Sequence, residues 1–112
     1  MAHYREHKER ARKLVHARIT EISASYGLLH ARVAIRNQKT RWGSCSQKGN
    51  LNFHYKIVFL PPHLVDYIIV HEVCHLKEFN HSRAFWDLVA QKVPAHAAAR
   101  RELRSMEKSM RG

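Results

Sequence analysis

The run from Leu64 to Glu78 limits the possible folds more than any other part of the chain. Leu64, Val65, Ile68, Ile69, Glu72 and His75 follow helical spacing, and His71 and His75 stand four residues apart with Glu72 directly after the first. Four residues are close to one turn of about 3.6 residues, so both imidazoles leave the same helix face and can converge on one ion. A zinc ion takes nitrogen ligands at about 2.0–2.1 Å, and a catalytic zinc keeps three protein ligands and one open position. Glu72 flanks such a site without being forced to ligate. Its carboxylate can take the proton of zinc-bound water, whose pKa the metal lowers to about 7.

The third ligand has to come from beyond the helix. His81 follows Phe79 and a loop at Asn80 that lets the chain turn back. Glu78 is a competitor at i+3 from His75, but its short rise along the same helix makes a compact tetrahedral set harder to form. The expected ligands are therefore His71, His75 and His81, with Zn2+ as the ion and Glu72 as catalytic base. A five-residue pattern arises easily by chance in a chain with ten histidines. The apolar helix, the hairpin before it and the third histidine in reach set this instance apart.

Around that helix the spacing predicts an α+β domain. Ala11, Leu14, Val15, Ile19, Ile22 and Tyr26 recur at steps of three and four, which predicts an N-terminal amphipathic helix from Tyr4 to Tyr26 ended by Gly27. Its other face carries Arg5, Lys8, Arg10, Arg12, Lys13 and Arg18. From Leu29 the period changes to alternation, with strands expected near Val33–Ile35, at Arg41–Ser46 and at Leu51–Leu60. Gln47 to Asn50 reads as a hairpin turn, so a small antiparallel three-stranded sheet is expected. Pro62 suits the first turn of the active-site helix, Ser82 suits the N-cap of a helix to about Gln91, and a basic C-terminal helix follows Pro94.

With 112 residues, one domain spanning 1–112 is expected. The longest apolar stretches, Ile57–Pro62 and Val65–Val70, fall far short of the roughly 20 residues that cross a bilayer. No secretory h-region follows Met1. A cytoplasmic protein with no membrane partner is expected. Cys45 and Cys74 make no disulfide framework and no Cys-x-x-Cys zinc pattern, and both read as small buried apolar groups.

Twenty Lys and Arg against nine Asp and Glu leave a net charge of +11, which favours anionic partners. Neither an RNA-binding signature nor a Gly-rich phosphate loop is present, so the expectation is weak, nonspecific nucleic-acid contact at most.

Several ordered motifs converge on one family. The run Arg36-Asn37-Gln38-Lys39-Thr40-Arg41-Trp42-Gly43-Ser44-Cys45-Ser46, then Gly49-Asn50-Leu51-Asn52-Phe53, Asp66-Tyr67, His71 to Leu76, and Asn80-His81-Ser82 with Phe85-Trp86 resemble the YgjP-like metallopeptidases. These are relatives of the SprT-like, Wss1-like and minigluzincin peptidases. The resemblance runs from about Val33 to Val93. Position by position it implies metal ligands at His71, His75 and His81 and a catalytic glutamate at Glu72. It also implies a minimal zincin-like domain in which a strand beside the cleft pairs with an extended substrate, here Arg41–Ser46. His54 stands where such proteins more often have Asn.

Other residues invite a role at the site. Trp42, Trp86 and Phe85 are expected in the core because of their large apolar area. Arg36 and Arg41 are candidates for holding an oxyanion or a substrate carboxylate. Tyr55 and Tyr67 are candidate donors, and Cys74 is expected to face the sheet. Peptide-bond hydrolysis of a peptide or unfolded protein is the leading function. The alternatives are nucleotide (UTP) pyrophosphate hydrolysis and a non-catalytic zinc-containing binding module. An intact Glu72 argues against the last, since a structural metal needs no base.

Overall fold

The computed structural model describes residues 2–38 and 41–111, so Lys39 and Thr40 of the run quoted above lie outside the described residues. The order is α1 (Ala2–Tyr26), β1 (Arg32–Arg36), β2 (Gly43–Cys45), β3 (Asn50–His54), a 3₁₀ helix (Tyr55–Phe59), α2 (Pro62–Cys74), α3 (Arg83–Ala90) and α4 (His96–Arg111). This is the expected α+β class.

α1 buries the stripe Ala11, Val15, Ile19 and Ile22 and leaves its basic face in solvent. Gly27, at φ +67°, ends it. The Leu28 N–H donates to the Ser23 carbonyl and the Gly27 N–H to the Ala24 carbonyl, both at 3.1 Å, a closure that needs a left-handed residue at this point. Arg18 reaches from α1 to α2 and donates to both Asp66 oxygens at 2.8 and 3.0 Å. Each partner is about a third exposed, so the pair contributes about 1 kcal/mol or less. The buried stripe, at about 1.5–3 kcal/mol for each large aliphatic residue, decides where α1 sits.

The sheet is mixed rather than wholly antiparallel. Its order is β1-β3-β2, with β2 antiparallel to β3 and β1 parallel to it. An antiparallel meander would have put β2 in the middle, yet β2 is only Gly-Ser-Cys. β3 takes the centre because it carries Leu51 and Phe53, both fully buried, in register with Val33 and Ile35 of β1. The hairpin lies where expected: the Gly49 N–H closes onto the Ser46 carbonyl at 3.0 Å, with Gly49 at φ +86°.

The strand expected over Leu51–Leu60 stops at His54. The Lys56 N–H donates to His54 Nδ1 at 3.0 Å, and this cap starts the 3₁₀ helix, whose Tyr55 and Ile57 are buried where it packs on α1. α2 begins at Pro62, and its Leu64, Val65, Ile68, Ile69, Val70 and Val73 are at most 3% exposed. No helix is long and apolar enough to cross a membrane among the described residues.

Candidate metal centre

α2 ends at Cys74 rather than near Glu78, and the early ending helps shape the site. His75 is its C-cap, and the chain continues through a turn in which the Glu78 N–H bonds the Cys74 carbonyl at 3.0 Å. The Glu78 carbonyl is left free to meet His75 Nδ1 at 3.1 Å. A carbonyl can only accept, so Nδ1 carries the proton and Nε2 keeps its lone pair. By the same reasoning His71 Nδ1, 3.1 Å from Glu72 Oε2, donates to the carboxylate and leaves its own Nε2 open.

The structure brings together His71, His75 and His81, one ring nitrogen of each within 4.8 Å of the others. His75 Nε2 and His81 Nε2 are 2.9 Å apart, near the roughly 3.3 Å that separates two nitrogens around a tetrahedral zinc. Glu78 approaches this group through its backbone carbonyl. His81 is exposed as a residue, but its ring sits 4.7 Å from His75 and 5.0 Å from Phe85 between centroids. Burial first, then the proximity of the His71 ring, lowers both His75 and His81 from the usual imidazole range. A shift in that direction favours the neutral form that a metal requires. Phe85, fully buried, stacks under His75 at 4.4 Å and forms the floor.

Glu72 is only 6% exposed, the one buried charged side chain among the described residues. A buried carboxylate costs several kcal/mol unless a counter-charge offsets it. His71 Nδ1–H is its sole hydrogen bond among the described residues. The three convergent imidazoles, with this carboxylate beside them on the same cleft, fit a divalent cation.

Gly43 was not singled out from the sequence, although a glycine inside a strand run often marks close approach. A Cβ there would lie 3.0 Å from Glu72 Cγ and 3.2 Å from the Asn52 carbonyl oxygen. Edge strand β2 can press against α2 only because this residue has no side chain.

The histidines border a cleft of about 350 Å³ whose wall includes Arg41, Gly43, Ser44, Cys45 and Phe79. It continues along β2 in both directions, toward Trp42, Tyr67 and Arg100 at one end and toward the hairpin, Leu29 and Phe79 at the other. Cys45, expected to be buried, lies half-buried on the cleft wall, and burial raises its thiol to about 11. Cys74 is fully buried as expected. Trp42 and Trp86 pack on the core but remain half-exposed, Trp42 on the cleft and Trp86 with its ring 6.0 Å from His71. Arg41 reaches the cleft, whereas Arg36 donates to Asn52 Oδ1 at 3.2 Å on the sheet. Tyr67 lines the cleft beside His71, whereas Tyr55 is buried against α1 with its hydroxyl 2.9 Å from His3 Nδ1.

Among solved structures, the chain is similar to the metallopeptidase zymogen abylysin of Pyrococcus abyssi. Identity is 28%, 84% of this chain and 93% of that one are covered, and the TM-score is 0.71. The metallopeptidase zymogen jannalysin of Methanocaldococcus jannaschii shares the fold at 23% identity, with 84% and 95% covered and a TM-score of 0.69. No curated protein matches the chain. Residues 2–106 match the YgjP-like metallopeptidase domain, and this span includes every residue that lines the histidine cleft. The chain belongs to the YgjP-like metallopeptidase family.

Proposed function

We propose that this metallopeptidase is a zinc enzyme that hydrolyses peptide bonds, with His71, His75 and His81 holding the ion and Glu72 as general base. The observation that carries the proposal is the buried Glu72 carboxylate set beside three convergent imidazoles, in a groove bordered by a sheet edge. Zinc, when bound, supplies Lewis acidity to the scissile carbonyl and to water. Glu72 draws the proton from the attacking water onto a carboxylate oxygen and later returns it to the leaving amine. The hydrogen bonds at His71 Nδ1 and His75 Nδ1 keep each ring in one tautomer and one orientation throughout. The open edge of β2 offers backbone donors and acceptors to an extended peptide and so holds its carbonyl in register.

The test is cleavage of unfolded casein by zinc-loaded protein and by its Glu72→Gln variant, with zinc content measured on both. The variant is expected to keep its metal and lose about 10²–10⁴-fold in rate, the usual share of a general base. Zinc-loaded wild type that leaves casein intact but releases pyrophosphate from UTP would replace the peptidase reading with the nucleotide one.

A further inference from the structure

One end of the groove gathers cations that the hydrolytic step does not use. Beside His71 and Glu72 the groove opens into a pocket of about 230 Å³ with Trp42, Tyr67, Ile68 and Leu103 as its apolar lining and Arg41 and Arg100 on its wall. The two arginines come from different parts of the chain, Arg41 just before β2 and Arg100 from α4.

Arg100 is positioned rather than loose. Its guanidinium lies over the Trp86 ring at 5.3 Å from the centroid, and Trp86 in turn stacks on His96 at 5.0 Å.

Neither Arg41 nor Arg100 has a carboxylate partner among the described residues, whereas Arg12, Arg18 and Arg83 do. The Glu107 carboxylate is engaged by the Trp42 indole N–H at 2.6 Å. An arginine fork presents planar paired donors that match a carboxylate, which a lysine ammonium does not. At the hairpin end the cations are lysines, Lys48 and Lys77, beside the exposed Leu29 and Phe79. The arginines are therefore both at the Arg41–Arg100 end, where each lines the same pocket.

We infer that this pocket selects substrate, taking the Asp or Glu side chain of a peptide residue close to the scissile bond, with its methylenes on the apolar lining and its carboxylate between Arg41 and Arg100. The inference rests on the peptidase reading above and names its substrate class: extended segments with an acidic residue beside the cut. A peptide's C-terminal carboxylate offers the same chemistry, and amidation separates the two sources.

The test uses fluorophore-labelled decapeptides that differ only in a central Glu, Gln or Lys, each with a free and an amidated C-terminus. Binding to zinc-loaded Glu72→Gln protein is read by anisotropy, and cleavage by wild type is read in parallel. The Glu peptide is expected to bind about ten- to hundredfold more tightly than the Lys peptide, amidated or not, the range of a charge-assisted bond to arginine. On the same background, Arg41→Gln and Arg100→Gln should each cut that ratio about tenfold, with zinc content and helicity unchanged. Arg12→Gln, on the outer face of α1, should leave the ratio alone.

Equal binding of the Glu and Lys peptides overturns the site. So does a ratio unmoved by Arg41→Gln and Arg100→Gln, or one lowered as much by Arg12→Gln, which would assign it to the general positive field. A preference that amidation abolishes overturns the side-chain assignment. Selective binding with no cleavage would leave the pocket standing and fail the peptidase reading, and cleavage with no acid selectivity would do the reverse.

Discussion

His71 and His75 stand on a helix whose neighbouring Val70, Val73 and Cys74 are at most 1% exposed, whereas His81 stands on the exposed connection between α2 and α3. The first two are placed chiefly by tertiary packing: once α2 buries its apolar residues, His71 on the helix and His75 at its C-cap, still in helical conformation, come to one side. The third depends on local bonds, namely the turn after Cys74 and the Ser82 cap, in which the Phe85 N–H donates to Ser82 Oγ at 3.4 Å. Two of the three proposed ligands are therefore tied to the core, and the third to a loop. Such a division lets a small domain complete a metal site without a second layer of structure.

Removing one ligand from each region tests this division most strongly. His75→Ala deletes a ligand, its Phe85 stack and its carbonyl tether together. It should lower zinc affinity by more than the roughly 10–100-fold typical of losing an outer-sphere partner. His81→Ala should cost less, because water can take the place of an exposed ligand. Chelator competition measures both, and a larger loss from His81→Ala would reverse the comparison.

A methyl group at Gly43 sharpens the helix side of it. Gly43→Ala places a Cβ against Glu72 Cγ and the Asn52 carbonyl, so either the carboxylate or β2 must shift. The expected result is up to about 10²-fold lower kcat/KM on casein with zinc content retained, and a stability loss of about 1–3 kcal/mol in thermal melts. Unchanged turnover would mean that β2 yields freely. The smallest effect belongs to the loop: Ser82→Ala should cost about 1 kcal/mol of stability and a few-fold in zinc affinity. A melt indistinguishable from wild type would show that the cap does not steady His81.

The sequence foretold those features whose cause is local. α1 with its Gly27 stop, the hairpin at Gly49, the Ser82 cap, and His71 and His75 on one helix face all depend on residues a few positions apart. What it hid depends on distant partners. The parallel pairing of β1 with β3 follows from competition for the central position, which β3 wins with Leu51 and Phe53. The Tyr55–Phe59 segment looks like a strand in composition, but it turns because its Tyr55 and Ile57 find α1 and the His54 ring caps it. α2 ends before the expected Glu78, its last turn tightening as the Leu76 and Lys77 N–H groups bond the Val73 and Cys74 carbonyls, and the Glu78 carbonyl then meets His75. Gly43 was visible only as part of a family motif and the cleft-side position of Cys45 not at all, because the reason for each is the Glu72 side chain or the cleft itself.

The central claim is that three imidazoles, two from the helix and one from the loop, hold a single zinc. X-ray absorption at the zinc edge, recorded on the zinc-loaded protein, examines that shell directly. Three imidazole nitrogens at about 2.0–2.1 Å with one further oxygen and no sulfur are expected. A shell with only two imidazoles, or one containing sulfur at about 2.3 Å from Cys45 on the same cleft wall, would contradict it.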